Sequence, residues 1–137
     1  MAVPEDSYAR KARLKNVVDG DTVRMTIDLG FRDYQEHSLR LSGVAANNLH
    51  RGTDEEKRLG RECRQFVVKW FERHRTLCGT TAKWPFVIVT EKSESFGRYL
   101  GTVYCVEGHT LNDDILASGL AEPYQKRQNE WNTEART

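Results

Sequence analysis

An α+β domain is the fold class this sequence predicts, on three observations. Between Val23 and Leu29 apolar residues fall at every second position, the period of a strand with one buried face. From Leu59 to Phe71 the apolar positions change to helical spacing. The chain has 137 residues, 38% of them hydrophobic, enough for one packed core and short for two. The expected order is three strands, a helix, two strands and a second helix.

Residues 1–9 read as a flexible arm before a domain over 10–125. "ARLKNVVDGDTVRMTIDLGFRDYQEHSLRLSGV" reads as three strands turning at "DGD" (19–21) and "LGF" (29–31). In the second, Val23, Met25, Ile27 and Leu29 alternate with Arg24, Thr26 and Asp28; in the third, Leu39, Leu41 and Gly43 set one face and Arg40 lies on the other. Leu59, Cys63, Phe66, Val67, Trp70 and Phe71 then share a helix face, and Thr53 with Glu56 forms a capping box, so a helix is expected near 54–75. "KWPFVIVTEK" and "RYLGTVYCVEG" read as two further strands joined by "SESFG". A short helix is expected near 111–118, capped by Thr110, with Asp113 and Asp114 at its positive end and Gly119 as its stop. The tail, 126–137, is polar and weakly patterned. Trp70, Phe71, Trp84 and Phe86 sit in apolar patterns and read as core. Five short strands, with a helix between the third and fourth and another after the fifth, match a five-stranded β-barrel of the OB-fold type.

Charged residues make up 30% of the chain but nearly cancel at net +1, so total charge announces no polyanion partner and any basic surface must be local. "RKARLK" and the "KR" pairs at 57–58 and 126–127 have acids interleaved and read as solvated faces. Cys63, Cys78 and Cys105 are odd in number and in no metal-ligand spacing, which fits free buried thiols in a reducing compartment. No window approaches the roughly 18 apolar residues of a membrane span, and the N-terminus has no apolar leader region. The expectation is a soluble, cytoplasmic or otherwise intracellular monomer with no membrane partner.

Asp19 and Asp21 flank a glycine. Paired carboxylates on a turn are oxygen donors for a hard cation such as Ca²⁺ or Mg²⁺, although Asp-Gly is also a common hairpin signal. Arg40 and Arg98 supply two guanidinium forks suited to phosphate oxygens and to charge growing on phosphorus.

"VVDGDTVRM", "LRLSGV" before a helix, "SFGRYLGTVY" and "LNDDILASGLAEPY", in that order over roughly 10–125, resemble the staphylococcal nuclease-like (thermonuclease-like) domains. The resemblance implies an OB-fold barrel whose members cut DNA or RNA with Ca²⁺. It implies that Asp21 holds the ion, with Asp19 behind it and Thr22 beside it, and that Arg40 and Arg98 hold the scissile phosphate. Phe96 and Tyr124 would line the nucleotide site, and Ser95 stands where the family carries a lysine.

One junction departs from the pattern. The family usually reads Gly-(Ile/Val)-Asp-(Ala/Thr)-Pro-Glu, and this chain reads Gly43-Val44-Ala45-Ala46-Asn47-Asn48. Ala45 thus replaces the second ion ligand and Asn48 the general base. Alanine has no side-chain oxygen, and an amide takes no proton near neutral pH. The expectation is a nucleic-acid or nucleotide binder with cleavage absent or very slow, either as a natural member that gave up cleavage or as a nuclease whose carboxylates were replaced. Two alternatives remain: an active nuclease with a substitute acid, Glu55 or Glu56 being nearest and His50 a weaker candidate base, or a protein-interaction module with a vestigial pocket.

Overall fold

The computed structural model describes residues 8–47, 52–79, 81–91 and 99–123. β1 (Tyr8–Asp19), β2 (Thr22–Asp28) and β3 (Tyr34–Leu41) form an antiparallel meander. A two-residue strand, β4 (Val44–Ala45), leads to α1 (Asp54–Cys78). β5 (Phe86–Glu91), β6 (Tyr99–Tyr104), α2 (Leu111–Ser118) and a second short strand, β7 (Glu122–Pro123), complete the order. β5 pairs with both β6 and β1, and β3 pairs in parallel with β6, so the sheet closes as β1-β2-β3-β6-β5. This is a closed five-stranded barrel with two helices, the OB-fold α+β architecture. Closure removes the unpaired sheet edges that an open five-stranded sheet exposes.

β1 begins at Tyr8, with Tyr8 and Ala9 already paired to Thr90 and Val89, so the strand reaches into the segment read as an arm. Its register with β2 shifts twice, between Leu14 and Asn16 and between Val17 and Asp19. Such irregularities bend a long strand from one partner to the next. Val23, Met25 and Ile27 are buried as their alternation predicts, but Leu29 lies beyond β2 and is 38% exposed. Gly43 likewise is not a strand residue: β3 stops at Leu41, and Gly43 turns the chain with φ +76°.

The turn after β2 is strained. Asp33 N–H donates to the Gly30 carbonyl across Phe31 and Arg32, whose φ values are +53° and +61°. Side chains with a Cβ pay for that backbone, and Asn-Gly suits it. Phe31 is fully exposed and gains nothing from the position. Phe31→Asn/Arg32→Gly is therefore expected to stabilise the fold by about 1 kcal/mol, read as a higher denaturation midpoint; a lower midpoint would refute the strain.

In α1, Thr53 Oγ1 accepts from Glu56 N–H at 3.1 Å and the Glu56 carboxylate accepts from Thr53 N–H at 3.2 Å, the expected capping box. The buried face is Gly60, Cys63, Val67, Trp70, Phe71 and His74. The helix runs to Cys78, three residues past the predicted end, which places Cys78 on the helix. Trp70, Phe71 and Phe86 meet in the core, the Phe71 and Phe86 rings edge to face at 4.9 Å. Trp84 is different: it is only partly buried, against Tyr34 at 5.3 Å and beneath the Arg13 guanidinium at 4.9 Å. All three cysteines are free; Cys63 and Cys105 are buried, whereas Cys78 is partly exposed. No helix among the described residues is long and apolar enough to cross a membrane.

Candidate functional site

The β1–β2 connection is two residues long, Gly20 and Asp21, and neither has a positive φ. Glycine is needed at 20 for space. A Cβ there would overlap Cys63 Sγ, lie 2.9 Å from Cys63 Cβ and 3.0 Å from Ala46 Cβ. The turn is thus wedged between α1 and the segment after β4. Gly20→Ala is expected to cost about 1–3 kcal/mol as overpacking, measured by denaturant unfolding, and an unchanged midpoint would show that the wedge is loose.

That seating aims Asp21 at three elements. Its backbone carbonyl accepts from Leu41 N–H at 2.7 Å. Asp21 Oδ1 accepts from the Thr22 hydroxyl at 3.0 Å, and Oδ2 accepts from Ala46 N–H at 3.2 Å and lies 3.9 Å from Arg40 Nη2. Arg40 is half-buried, its Cα between Thr22 on β2 and Leu100 on β6. Asp19 ends β1 directly across from Thr22. Buried surroundings, together with the Asp21 charge, push the Cys63 thiol up to about 11, so it stays protonated and unreactive near neutral pH.

The junction after β3 is pinned through backbone. Ser42 N–H donates to the Gly101 carbonyl at 2.9 Å, and β4 pairs with β7, Val44 opposite Pro123 and Ala45 opposite Glu122. Buried Asn112 on α2 completes the clamp: Oδ1 accepts from Val103 N–H at 3.1 Å, and Nδ2 donates to the Ser42 and Gly101 carbonyls at 2.9 and 3.0 Å. The position of Ala45 is thus held firmly while its side chain brings no donor. Directly opposed residues of an antiparallel pair point to one face, so exposed Glu122 stands beside Ala45. Sequence reading missed Asn112, Glu122 and the β4–β7 pair, because two-residue strands have no visible period.

The structure therefore brings together Asp21, Thr22, Arg40 and Ala45, with Asp19 across the turn. Asn48, His50, Ser95, Phe96, Arg98 and Tyr124 lie outside the described residues. Of the candidate substitute acids, Glu56 is engaged in the capping box and Glu55 by Arg58, whose hydrogen bond holds its carboxyl below the usual range and makes it a poorer base. Calcium takes six to eight oxygens. Among the described residues this junction offers the Asp21 carboxylate, already engaged by three neighbours, and the Thr22 hydroxyl. Asp19 and Glu122 lie close by on the paired strands, and Ala45 adds no side-chain oxygen.

The sequence profile described as "Staphylococcal nuclease homologue" matches residues 38–137. The chain belongs to that family. No curated protein matches it. As a staphylococcal nuclease homologue it carries a domain associated with nuclease-like nucleic-acid binding, in a family that is typically Ca²⁺-dependent. The match spans Arg40 and the altered junction but starts after β2. Barrel pairing brings Asp21 and Thr22 to the matched residues.

Beyond this rim, Arg13, Lys15, Arg64, Arg75 and Lys83 line a groove of about 450 Å³ between β1 and α1, with Glu72 the acid among its lining residues. Lys15 is paired to Glu36 at 3.5 Å, and Arg58, outside the groove, is paired to Glu55 and Glu62.

Proposed function

We propose that this domain binds a nucleic-acid strand or nucleotide through its phosphates and cleaves the phosphodiester very slowly or not at all. Arg40 and Arg98 are the guanidinium contacts, and Phe96 and Tyr124 line the nucleotide. The observation that carries this reading is Arg40 held beside Asp21 at 3.9 Å on the barrel, while the adjoining backbone-clamped position is Ala45. A guanidinium at that place attracts phosphate oxygens and stabilises charge on phosphorus. Proton removal from an attacking water needs a base, and Asn48 stands at the position where the family carries one. The cation site at Asp21, with Asp19 behind it and Thr22 beside it, is correspondingly weakened.

Calorimetric titration with a nucleoside 3′,5′-bisphosphate, with and without Ca²⁺, tests the reading. Binding is expected, weakened at least about tenfold in Arg40→Ala, as for loss of a charge-assisted contact of about 1.5–3 kcal/mol. Binding unchanged by that substitution would instead favour an interaction module whose pocket is vestigial. A second reading rests on Glu122 opposite Ala45: the junction recruits that carboxylate and retains activity. Cleavage by the unaltered chain that disappears in Glu122→Gln would support it.

A further inference from the structure

Eleven residues along α1 from Cys63, about 16 Å at helical rise, a second group of side chains converges. A tight turn after β6 makes it. Gly108 N–H donates to the Cys105 carbonyl, Cys105 N–H donates to the His109 carbonyl, both at 3.0 Å, and Gly108 has φ +92°. This turn places Cys105, Glu107 and His109 against His74, and one ligand atom from each of the four lies within 4.8 Å of every other. His74 Nδ1 is 3.5 Å and His109 Nε2 3.3 Å from Glu107 Oε1.

We infer that His74, Cys105, Glu107 and His109 form a metal site for a zinc-class transition-metal ion, which staples the C-terminal half of α1 to the β6–α2 connection. The donors are two imidazoles, a thiol and one carboxylate, which suit Zn²⁺ and do not suit Ca²⁺ or Mg²⁺. Tetrahedral ligands about 2.0–2.3 Å from an ion stand roughly 3.3–3.7 Å apart, so the widest pair closes by about 1 Å on binding. Two observations beyond the convergence itself point to an ion. His74 is 3% exposed, and its Nδ1 is buried without a hydrogen-bond partner. An unpartnered buried nitrogen is unfavourable unless something occupies its lone pair. His109 is oriented from behind: its Nδ1 meets Asp114 Oδ2 at 2.6 Å, and the same oxygen accepts from Trp70 Nε1–H at 2.7 Å. A carboxylate behind a histidine is the arrangement that fixes the tautomer and turns the other nitrogen towards a metal. A cleft of about 580 Å³, lined by Trp70, Arg73, His74, Glu107 and His109 among others, supplies an entry path. Four protein ligands leave no open position, so the ion's role is structural.

The test uses the full, tag-free chain, stripped with chelator and titrated with Zn²⁺ against a chromophoric competitor, and separately with Co²⁺. One ion per chain is expected, with the strong visible bands of tetrahedral cobalt and a thiolate-to-cobalt charge-transfer band. Cys105→Ser should remove that band and weaken Zn²⁺ at least about 100-fold. Asp114→Asn, which keeps an oxygen for Trp70, should weaken binding about 10- to 100-fold while retaining the band, as a positioning residue does. Should Cys105→Ser fail to fold, Glu107→Gln on the exposed turn carries the test, with at least a tenfold loss expected while circular dichroism stays unchanged. The inference is overturned by the absence of stoichiometric binding. It is equally overturned by binding that neither Cys105→Ser nor Glu107→Gln alters, or by binding lost in His50→Ala.

Discussion

Ala45→Asp/Asn48→Glu is expected to raise phosphodiester cleavage by about 10²- to 10⁴-fold over the unaltered chain, assayed on single-stranded DNA and RNA with Ca²⁺ present. The range is what a positioned general base contributes, and the restored carboxylate at 45 adds an oxygen beside Asp21. The backbone at 45 is ready for its change. Ser42, Val44 and Ala45 are tied to Gly101, Asn112 and β7, so a carboxylate at 45 enters an established position and need not order a loop. Ala45 is only partly buried, so the larger side chain has room to reach solvent. Each single replacement should recover much less than the pair, because ion and base act on the same water. No gain in the double variant, with its fold intact by circular dichroism, would sink the view that this junction alone disarms the site.

Asn112→Ala is expected to cost about 3 kcal/mol or more and to loosen the same junction. Its buried side chain satisfies Val103 N–H and the Ser42 and Gly101 carbonyls. Leaving a buried polar group unpaired costs about 1–3 kcal/mol; Val103 N–H and the Ser42 carbonyl lose this partner, while the Gly101 carbonyl keeps Ser42 N–H. Asn112→Asp should do no better, since it sets an oxygen against two carbonyl oxygens. Denaturant unfolding measures the loss as a lower midpoint at unchanged slope. Titration of the folded variant with the bisphosphate then reads whether Arg40 and Asp21 have moved. A loss under about 1 kcal/mol would mean that water replaces the amide and that the clamp is not structural.

At both sites the side-chain types were plain in the sequence and their partners were not. Arg40 could be assigned to the face opposite Leu39 and Leu41 from alternation alone. Its approach to Asp21 depends on the register of β3 against β2. Gly20 reads as a hairpin signal, yet its backbone is ordinary and the reason for glycine is Cys63, 43 residues away. The groove between β1 and α1 shows the same for charge: Arg64, Arg75 and Lys83, far from Arg13 and Lys15 in the chain, line one groove with them and with Glu72.

By itself the sequence determined the strands with clear alternation, the capping box and apolar face of α1, the cap and stop of α2, the OB-type order, and the absence of carboxylates at Ala45 and Asn48. These are properties of residues within a turn or two of one another, and local backbone chemistry suffices for them. Tertiary structure alone decided the closure of β5 onto β1, the β4–β7 pair beside the altered junction, the Asn112 clamp, and the meeting of His74 with Cys105, Glu107 and His109. Each joins residues far apart in the chain. Such contacts exist only when long-range pairing and helix packing are satisfied together, and no local pattern encodes them.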